Sequence, residues 1–215
     1  MQQKRSTKVR LIITALLVLL GPALFYFLLT RGKNTYKSLE IYGPVRFENG
    51  ARGIDTIYHI AADFNLSDQK GNRVSLSAFP NKIYVVSIHQ SNNTTGTALA
   101  KIQGIVYQYK ADTNLVFVSI LKNQSLTADS LALKYRAKYG KWLFAEADST
   151  INNDFFKSYF VSNSDSINTS SNVVLLDETK RVRGFYDATD AWDIAKLGDE
   201  IKVLEFERFG KVFRD

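Results

Sequence analysis

This 215-residue sequence lacks the sulfur side chains that serve as thiol nucleophiles and as soft metal ligands. The sequence contains no cysteine, and its one methionine is Met1. These counts exclude a disulfide framework, a thiol nucleophile, an iron–sulfur cluster and any metal site that depends on sulfur ligands. Two histidines remain, His59 and His89. These histidines, with the hydroxyl and amide side chains near them, are the candidates for a site without sulfur.

The two histidines do not by themselves indicate a metal site. A protein metal site normally needs three or four ligands. His89 ends an apolar run and lies four residues before Asn93, whereas His59 lies far upstream. The favoured interpretation is a histidine at the end of a strand that is hydrogen-bonded or solvated. We predict no metal ion and no cofactor at either residue.

A serine nucleophile with a histidine base is a second chemical possibility. Ser87 and Ser91 both lie two residues from His89. No Gly-x-Ser-x-Gly turn surrounds either serine, so chance proximity is the simpler explanation.

The stretch from 91 to 97 reads SNNTTGT and precedes a predicted helix. The amides at the start of that helix could bind an anion or the backbone of a partner. A capped loop explains the same residues. The residues that would line a pocket or contact a partner here are His89, Ser91, Asn92, Asn93 and Thr97.

A strand, a helix and a second strand must position this loop. Residues 83 to 88 read IYVVSI, a continuous apolar run that is typical of a central strand covered on both faces. Residues 97 to 110 carry apolar side chains three or four apart, which predicts an amphipathic helix. These side chains are Leu99, Ile102, Val106 and Tyr109. Residues 115 to 120 predict a second buried strand, so the unit is a right-handed parallel crossover.

The other patterns complete an α/β domain. They predict a hairpin over 64–66 and 73–76, a helix capped by Thr127 and ending at Gly140, a short helix over 151–160, a hairpin over 173–176 and 182–186, and a last helix over 192–206. This order predicts a thioredoxin-like fold, with a central mixed sheet flanked by helices. Val86 and Val118 should lie in its core.

Residues 11 to 30 read LIITALLVLLGPALFYFLLT and predict a transmembrane helix. Twenty residues at about 1.5 Å each span the hydrocarbon layer of about 30 Å. A cleaved signal peptide is the alternative, but the run is long and no cleavage site follows it. Four basic residues precede the span and favour a cytoplasmic N-terminus. The predicted divisions are a cytoplasmic N-terminus at 1–10, an anchor at 11–30, a linker at 31–60, a domain at 61–207 and a C-terminal tail at 208–215.

The net charge of +7 does not indicate a nucleic-acid partner. The sequence has 28 basic and 21 acidic residues. Four of the basic residues precede the apolar span, and removing them leaves 28 − 4 = 24 basic residues against 21 acidic ones. An excess of three over a whole domain provides no concentrated phosphate-binding field, so the basic excess is mainly a membrane signal.

Two stretches of the domain resemble a known family. Residues 62–71 read ADFNLSDQKG, and residues 173–187 read VVLLDETKRVRGFYD. In this order, and with the KYG of residues 138–140 between them, the sequence is similar to the Sco/SenC family of thioredoxin-like copper chaperones. The similarity extends over residues 39 to 205. It implies the same fold and a role connected with cytochrome c oxidase.

The resemblance also implies where the family's copper ligands would fall. Members bind copper with a Cys-x-x-x-Cys pair after the first central strand and with a later histidine. The cysteine positions correspond to Asn93 and Thr97, and the histidine position to Thr169. Cu(I) prefers sulfur ligands, and disulfide exchange needs a thiolate. The resemblance therefore implies a degenerate member without a functional copper or redox site.

The resemblance and the sequence together predict a non-catalytic accessory factor for respiratory assembly. We expect it in the inner membrane of a bacterium, with its domain in the periplasm. Its partner would be a membrane or periplasmic protein, such as a respiratory assembly component. A sensor of a small ligand or anion in the vacated pocket is one alternative, and a thiol-independent enzyme is another. An enzyme would need convergent ionisable groups near Asn93, where the sequence places His89 alone.

Overall fold

The chain forms two compact units, Met1–Lys37 and Ser38–Asp215. The computed structural model describes residues 3–31, 37–50, 53–90, 94–122, 127–138, 140–148, 153–160 and 172–212. The first unit is helix α1, Gln3–Arg31. Its stretch Val9–Phe27 has a mean hydropathy of 2.1 and is long and apolar enough to cross a membrane. A candidate transmembrane span therefore precedes the domain.

Nine strands form two sheets in the described part of the second unit. The strands are β1 Val45–Gly50, β2 Gly53–Tyr58, β3 Leu66–Asp68, β4 Arg73–Val74, β5 Ile83–Gln90, β6 Leu115–Lys122, β7 Trp142–Glu146, β8 Val173–Leu176 and β9 Val182–Tyr186. Strands β1 and β2 pair only with each other, and the other seven have the order β4-β3-β7-β6-β5-β8-β9. The sheet is mixed, because β5, β6 and β7 run parallel whereas β8 is antiparallel to β5.

Helices cover both faces of the large sheet. They are α2 Thr95–Gln108, α3 Ala128–Lys134, α4 Asn153–Phe160 and α5 Ala191–Val212. Side chains of α2, α3 and α5 pack in one apolar cluster on one face. Side chains of α4 pack in a second cluster on the other face. Alternate residues of the central strands enter each cluster, which explains why β5 and β6 are apolar throughout.

The central crossover agrees with the sequence-based prediction. Strand β5 and strand β6 are parallel in register, and α2 joins them. Val86 and Val118 lie opposite each other on these strands and are both buried. The two predicted hairpins are present as β3–β4 and β8–β9. The fold prediction, a mixed sheet flanked by helices, is confirmed.

Strand β7 was absent from the prediction, although it lies between β6 and β3. The strand reads WLFAE, and its first four residues are apolar and buried. A short run without alternation carries no strand period, so the sequence pattern does not separate it from the end of the preceding helix. The strand joins the N-terminal hairpin β3–β4 to the rest of the sheet.

Helix α3 ends earlier than the predicted Gly140. Arg136 takes a left-handed backbone conformation with φ of 52°. Its amide donates to the carbonyl of Leu133, and the amide of Ala137 donates to that of Ala132. These two bonds form a Schellman motif, in which an arginine takes the position that glycine usually has. The prediction was wrong because it assigned the helix end to the next glycine.

The boundaries at both ends of the domain also differ from the prediction. The predicted linker, 31–60, contains the antiparallel hairpin β1–β2, and the compact unit begins at Ser38. The predicted tail, 208–215, overlaps α5, which extends to Val212. Val45 and Phe47 alternate with Arg46 and Glu48, which is the strand period that the prediction missed.

Candidate functional site

The loop after β5 is the candidate site, and the structure describes part of it. Ser91, Asn92 and Asn93 lie outside the described residues, and so does Thr169. Thr97 is exposed in the first turn of α2. His89 is only 2% exposed, so it lies beneath this surface. Of the predicted pocket or interaction residues that the structure describes, Thr97 is accessible and His89 is not.

His89 begins a chain of buried polar groups across three neighbouring strands. Its Nε2 atom is 2.9 Å from Oγ of Ser87 on the same face of β5. Oγ of Ser87 is 2.8 Å from Oγ of Ser119 on β6. Nε1 of Trp142 on β7 donates to Oγ of Ser119 at 3.0 Å. All four side chains are buried, so each polar group obtains its hydrogen bond inside the core.

Burial also decides the charge of His89. It lowers the pKa of the imidazole to about 4, because a charged ring would lose its hydration in the core. His89 is therefore neutral near pH 7 and can both donate and accept a hydrogen bond. The interpretation as a hydrogen-bonded histidine at the end of a strand agrees with this contact.

The contact between Ser87 and His89 has the length of a nucleophile–base pair. Ser87 is only 1% exposed, however, and its oxygen also faces Ser119. A serine nucleophile must reach a substrate carbonyl, and the Ser87 hydroxyl is buried in the core. The arrangement links strands β5, β6 and β7 and has no access to a substrate.

An exposed tryptophan lies at the start of α5, a helix that packs near α2. Trp192, at the start of α5, is 77% exposed. Nζ of Lys101, in the second turn of α2, donates to the carbonyl of Thr189, two residues before α5, so the N-terminal half of α2 lies close to the start of α5. Gly96 and Thr97 are exposed on the same end of α2. We call Gly96, Thr97 and Trp192 the upper surface.

Sequence reasoning did not assign a functional role to Trp192. The core stripe of α5 includes Ile194, Leu197, Ile201 and Leu204. Trp192 lies outside this stripe. A large apolar side chain away from the buried face of a helix indicates a contact surface, and the sequence pattern could have shown this. Its position near the loop required the topology of the sheet.

No group of three or more His, Asp or Glu side chains that could hold a metal ion occurs within the described part of the chain. The two histidines also have hydrogen-bond partners on different elements. Nε2 of His59 is 2.7 Å from the carbonyl oxygen of Ser158 on α4, whereas His89 bonds Ser87 on β5. A solvent-open cleft occurs elsewhere, between β3–β4 and α4. Neither His89 nor Thr97, the two predicted pocket residues that the structure describes, lines it.

Comparison with known proteins gives similarity in structure but none in sequence. No protein-family model and no curated protein matches the chain. Three similar solved structures are a SCO1/SenC family lipoprotein from Bacillus anthracis, BsSco, and a candidate protein disulfide isomerase from Bacteroides thetaiotaomicron. Their TM-scores are 0.54, 0.50 and 0.51, at 14%, 16% and 15% identity.

The alignments cover most of each solved structure. They include 68%, 66% and 78% of this chain and 95%, 92% and 94% of the respective solved chains. The fold is thioredoxin-like.

Sco/SenC proteins are among the structures with this thioredoxin-like fold, as the sequence resemblance implied. In our chain the crossover from β5 through α2 to β6 forms the centre of the fold. Thr97, the second position that the resemblance assigns to a cysteine, lies on the exposed first turn of α2.

Proposed function

We propose that this protein is a membrane-anchored, Sco-like accessory factor that acts through protein contacts and without copper or thiol chemistry. One observation carries the proposal: a thioredoxin-like domain similar to Sco structures has no cysteine anywhere in its sequence. BsSco is described as a member of the Sco family of cytochrome c oxidase assembly proteins, with a disulfide switch. A disulfide switch requires two thiols, which this chain lacks.

The chemistry around the loop supports a non-catalytic role. His89 is the ionisable group nearest to the loop in sequence, and it is buried and hydrogen-bonded to Ser87. An enzyme site needs an accessible nucleophile or base in contact with a cavity. Because Ser87 and His89 are both enclosed by the sheet, they are assigned to the stability of the fold.

The upper surface, with Ser91, Asn92 and Asn93 that precede it in the sequence, is the proposed contact area for a partner. Trp192 is the anchor of this area, since exposed tryptophans are enriched among the residues that dominate binding energy. The small residues Gly96 and Thr97 allow a partner's backbone to approach closely. The expected partner is a membrane or periplasmic protein of respiratory assembly.

A pull-down with two matched variants tests the contact area. Full-length protein is purified from detergent-solubilised membranes in the wild type, in Trp192→Ala and in Tyr107→Ala. Tyr107 is also an exposed aromatic residue on a helix, at 68%, but lies near the far end of α2. We expect Trp192→Ala to lose respiratory assembly proteins that wild type and Tyr107→Ala both retain. Equal recovery with all three would contradict the assignment of the upper surface.

The proposed location is the bacterial inner membrane, with the N-terminus cytoplasmic and the domain in the periplasm. Helix α1 supplies the candidate span, and four basic residues precede it. A fusion of alkaline phosphatase after Asp215 should be active, whereas a fluorescent protein that folds only in the cytoplasm should remain dark there. The opposite pattern would contradict this orientation. Release of the protein from membranes by cleavage near residue 31 would instead support a signal peptide.

A further inference from the structure

The hairpin β1–β2 has one apolar face and one charged face. Residues that lie opposite each other in an antiparallel pair point to the same side. Val45 faces Tyr58, Phe47 faces Thr56, and Asn49 faces Ile54, so one side combines four large apolar residues. The other side includes Arg46, Glu48, Asp55 and Ile57. We call the side with Val45, Phe47, Ile54 and Tyr58 the apolar face.

The described part of the domain contacts this apolar face only near its root, where the guanidinium of Arg181 lies 5.8 Å from the ring centre of Tyr58. Phe47 and Ile54 are 71% and 72% exposed, and every described side chain of the two strands is exposed. An isolated two-stranded hairpin is marginally stable in water, because it has no layer to pack against. A hairpin with two large exposed apolar side chains near its tip therefore gains stability when something outside the domain covers that face.

The root of the hairpin is fixed firmly to the domain. The amide of Tyr42 donates to the carbonyl of Val182 at 2.8 Å, and the amide of Ala61 donates to that of Lys180 at 2.9 Å. Gly43 has a φ of +106°, and a Cβ atom there would lie 2.6 Å from Cβ of His59. The two arms of the hairpin thus pass each other at a distance that only glycine permits. The direction of the hairpin is set by this root.

The root lies at the end of the sheet where the chain enters the domain. Lys180 lies in the turn between β8 and β9, and Val182 is the first residue of β9. Val182 pairs with Leu176 of β8, which in turn pairs with Tyr84 at the start of β5. Helix α2, which begins at Thr95, follows the opposite end of β5. The hairpin and the upper surface are therefore at opposite ends of the sheet.

The chain that leads from α1 reaches the domain at the same end. Oε1 of Glu207 accepts hydrogen bonds from the amide of Leu39 and the hydroxyl of Ser38. Nη2 of Arg183 donates to the carbonyl of Leu39 at 2.8 Å and to Oε2 of Glu207 at 2.8 Å. Arg183 is buried and also pairs with Asp177. The segment that follows the candidate span is thus held by a buried ion pair.

We propose that the apolar face of the hairpin β1–β2 inserts into the lipid headgroup region of the membrane that holds α1. This would provide a second membrane contact and direct the upper surface away from the bilayer. The inference rests on the proposed anchoring of the chain by α1. A second membrane contact would fix the orientation of the domain, which a single span does not do by itself.

The lipid surface is the occupant that the chain itself favours. Six residues, 32 to 37, join Arg31 to Ser38, and an extended chain of that length covers about 20 Å. A connection this short keeps the entry end of the sheet, with the hairpin root, within reach of the bilayer. Phe47 and Tyr58 on the apolar face are of the type that membrane interfaces favour. The charged face, with Arg46 and Glu48, would remain in contact with water and polar headgroups.

Single-cysteine labelling tests the proposal, because the native chain has no cysteine that would react. Full-length variants Phe47→Cys, Glu48→Cys, Thr97→Cys and Leu17→Cys carry an environment-sensitive fluorophore in phosphatidylcholine proteoliposomes. Leu17 lies within the candidate span and reports on the anchor. Glu48 lies on the opposite face of the hairpin, next to Phe47, and Thr97 lies at the far end of the sheet.

We expect labels at Leu17 and Phe47 to be quenched by lipids with spin-labelled acyl chains, and labels at Glu48 and Thr97 to be quenched by aqueous iodide. Ile54→Cys provides a second site on the apolar face and should behave like Phe47. Lipid quenching at Leu17 with iodide quenching at both Phe47 and Ile54 would overturn the hairpin proposal while the anchor stands. Iodide quenching at Leu17 as well would overturn the anchor and with it the hairpin contact. Disulfide-linked dimers of Ile54→Cys, with iodide access at Phe47, would assign the face to a second copy instead.

Discussion

Ser87 and Ser119 face each other from neighbouring parallel strands, with their side-chain oxygens 2.8 Å apart. Each serine also bonds a larger buried side chain, since Ser87 contacts His89 and Ser119 accepts from Trp142. The four groups thus depend on each other for hydrogen bonds in a core where water cannot replace a lost partner. The same relationship explains why two serines occur in otherwise apolar central strands.

Replacing Ser119 by alanine should destabilise the domain by about 1 to 3 kcal/mol. The substitution removes the acceptor of the Trp142 indole and one partner of Ser87, and it leaves both polar groups buried. Urea unfolding of the domain from Ser38 to Asp215 measures the effect. Ser130→Ala, at an exposed serine of α3, is the control and should change stability much less. An unchanged midpoint for Ser119→Ala would show that the chain of bonds contributes little.

The lowered pKa of His89 predicts a loss of stability in acid. The unfolded chain binds a proton at this histidine below about pH 6.5, whereas burial lowers the pKa in the folded state to about 4. The contribution is therefore complete above pH 6.5 and is lost as the pH falls towards 4, by about 3 kcal/mol in total. Unfolding free energies at pH 7.5 and pH 4.5 should differ less in His89→Gln. A His59→Gln variant, which keeps His89, is the matched control.

Glu205 predicts a pH dependence of the opposite sign. Burial, with a hydrogen bond to Asp112, raises the pKa of Glu205 to about 7. Burial alone would raise the pKa of Asp112 as well, but the hydrogen bonds from Glu205 and the amide of Asn114 lower it. The folded pair holds a proton that the unfolded chain releases above about pH 4.5, so its contribution is lost as the pH rises towards 7. The nearby positively charged side chains are Lys141 and Arg208.

Glu205→Gln keeps a donor next to Asp112 and removes the titration. We expect this variant to gain stability relative to wild type at pH 8 and to gain less at pH 5, in the same unfolding experiment. Asp199→Asn on the exposed side of α5 is the matched control, because its partner is the exposed Lys202. A difference between Glu205→Gln and wild type that is the same at both pH values would contradict the shared proton.

Charge at the centre of the large sheet should be far more harmful than charge on the separate, exposed hairpin β1–β2. Val86 and Val118 are paired on β5 and β6 and are fully buried. Asp at either position would place an unpaired carboxylate in the core and should cost about 3 kcal/mol or more. Val45→Asp on the exposed hairpin is the control. Thermal unfolding of the three variants distinguishes them, and equal melting temperatures would contradict the placement of β5 and β6.

The long apolar runs made most of the fold predictable. Residues 83 to 88 and 115 to 120 are strands in the structure, because a central strand buries both faces and needs no alternation. Strand β7 was missed for the same reason, since its four apolar residues, followed by Glu146, have no distinguishing period. The end of α3 was misplaced because Arg136 adopts a conformation that sequence patterns assign to glycine.

The candidate site was predictable only in its position along the chain. The run from 83 to 88 placed the loop of residues 91 to 97 before a helix, and α2 does begin at Thr95. Sequence spacing could not show that His89 points into the core, because strand residues alternate between two faces and both were apolar. The sequence could not predict that Trp192 lies near α2. The two helices are about ninety residues apart in the sequence, and the order of the strands brings them together.

The last prediction concerns copper. Without cysteine or an internal methionine, the domain has only nitrogen and oxygen donors, which compete poorly for the soft ion Cu(I). We therefore expect wild-type protein to lose Cu(I) to a competing chelator. Thr97 lies on the exposed first turn of α2, and Asn93 precedes that helix by two residues. Asn93→Cys with Thr97→Cys would place two thiolates four residues apart, and Thr169→His would add the third ligand that the Sco/SenC resemblance implies.

Titration against a Cu(I) chelator should separate the triple variant from wild type by orders of magnitude in affinity. The matched control replaces the same two positions by serine and keeps Thr169→His, so that it changes sulfur to oxygen and nothing else. Cu(I) binding by the cysteine variant but not by the serine variant would show that the loop still has the geometry of a Sco site. Tight binding by wild type would refute the degenerate-site interpretation. Absence of binding in the cysteine variant would show that Asn93, Thr97 and Thr169 do not converge, which is the part of the alignment that the fold alone does not establish.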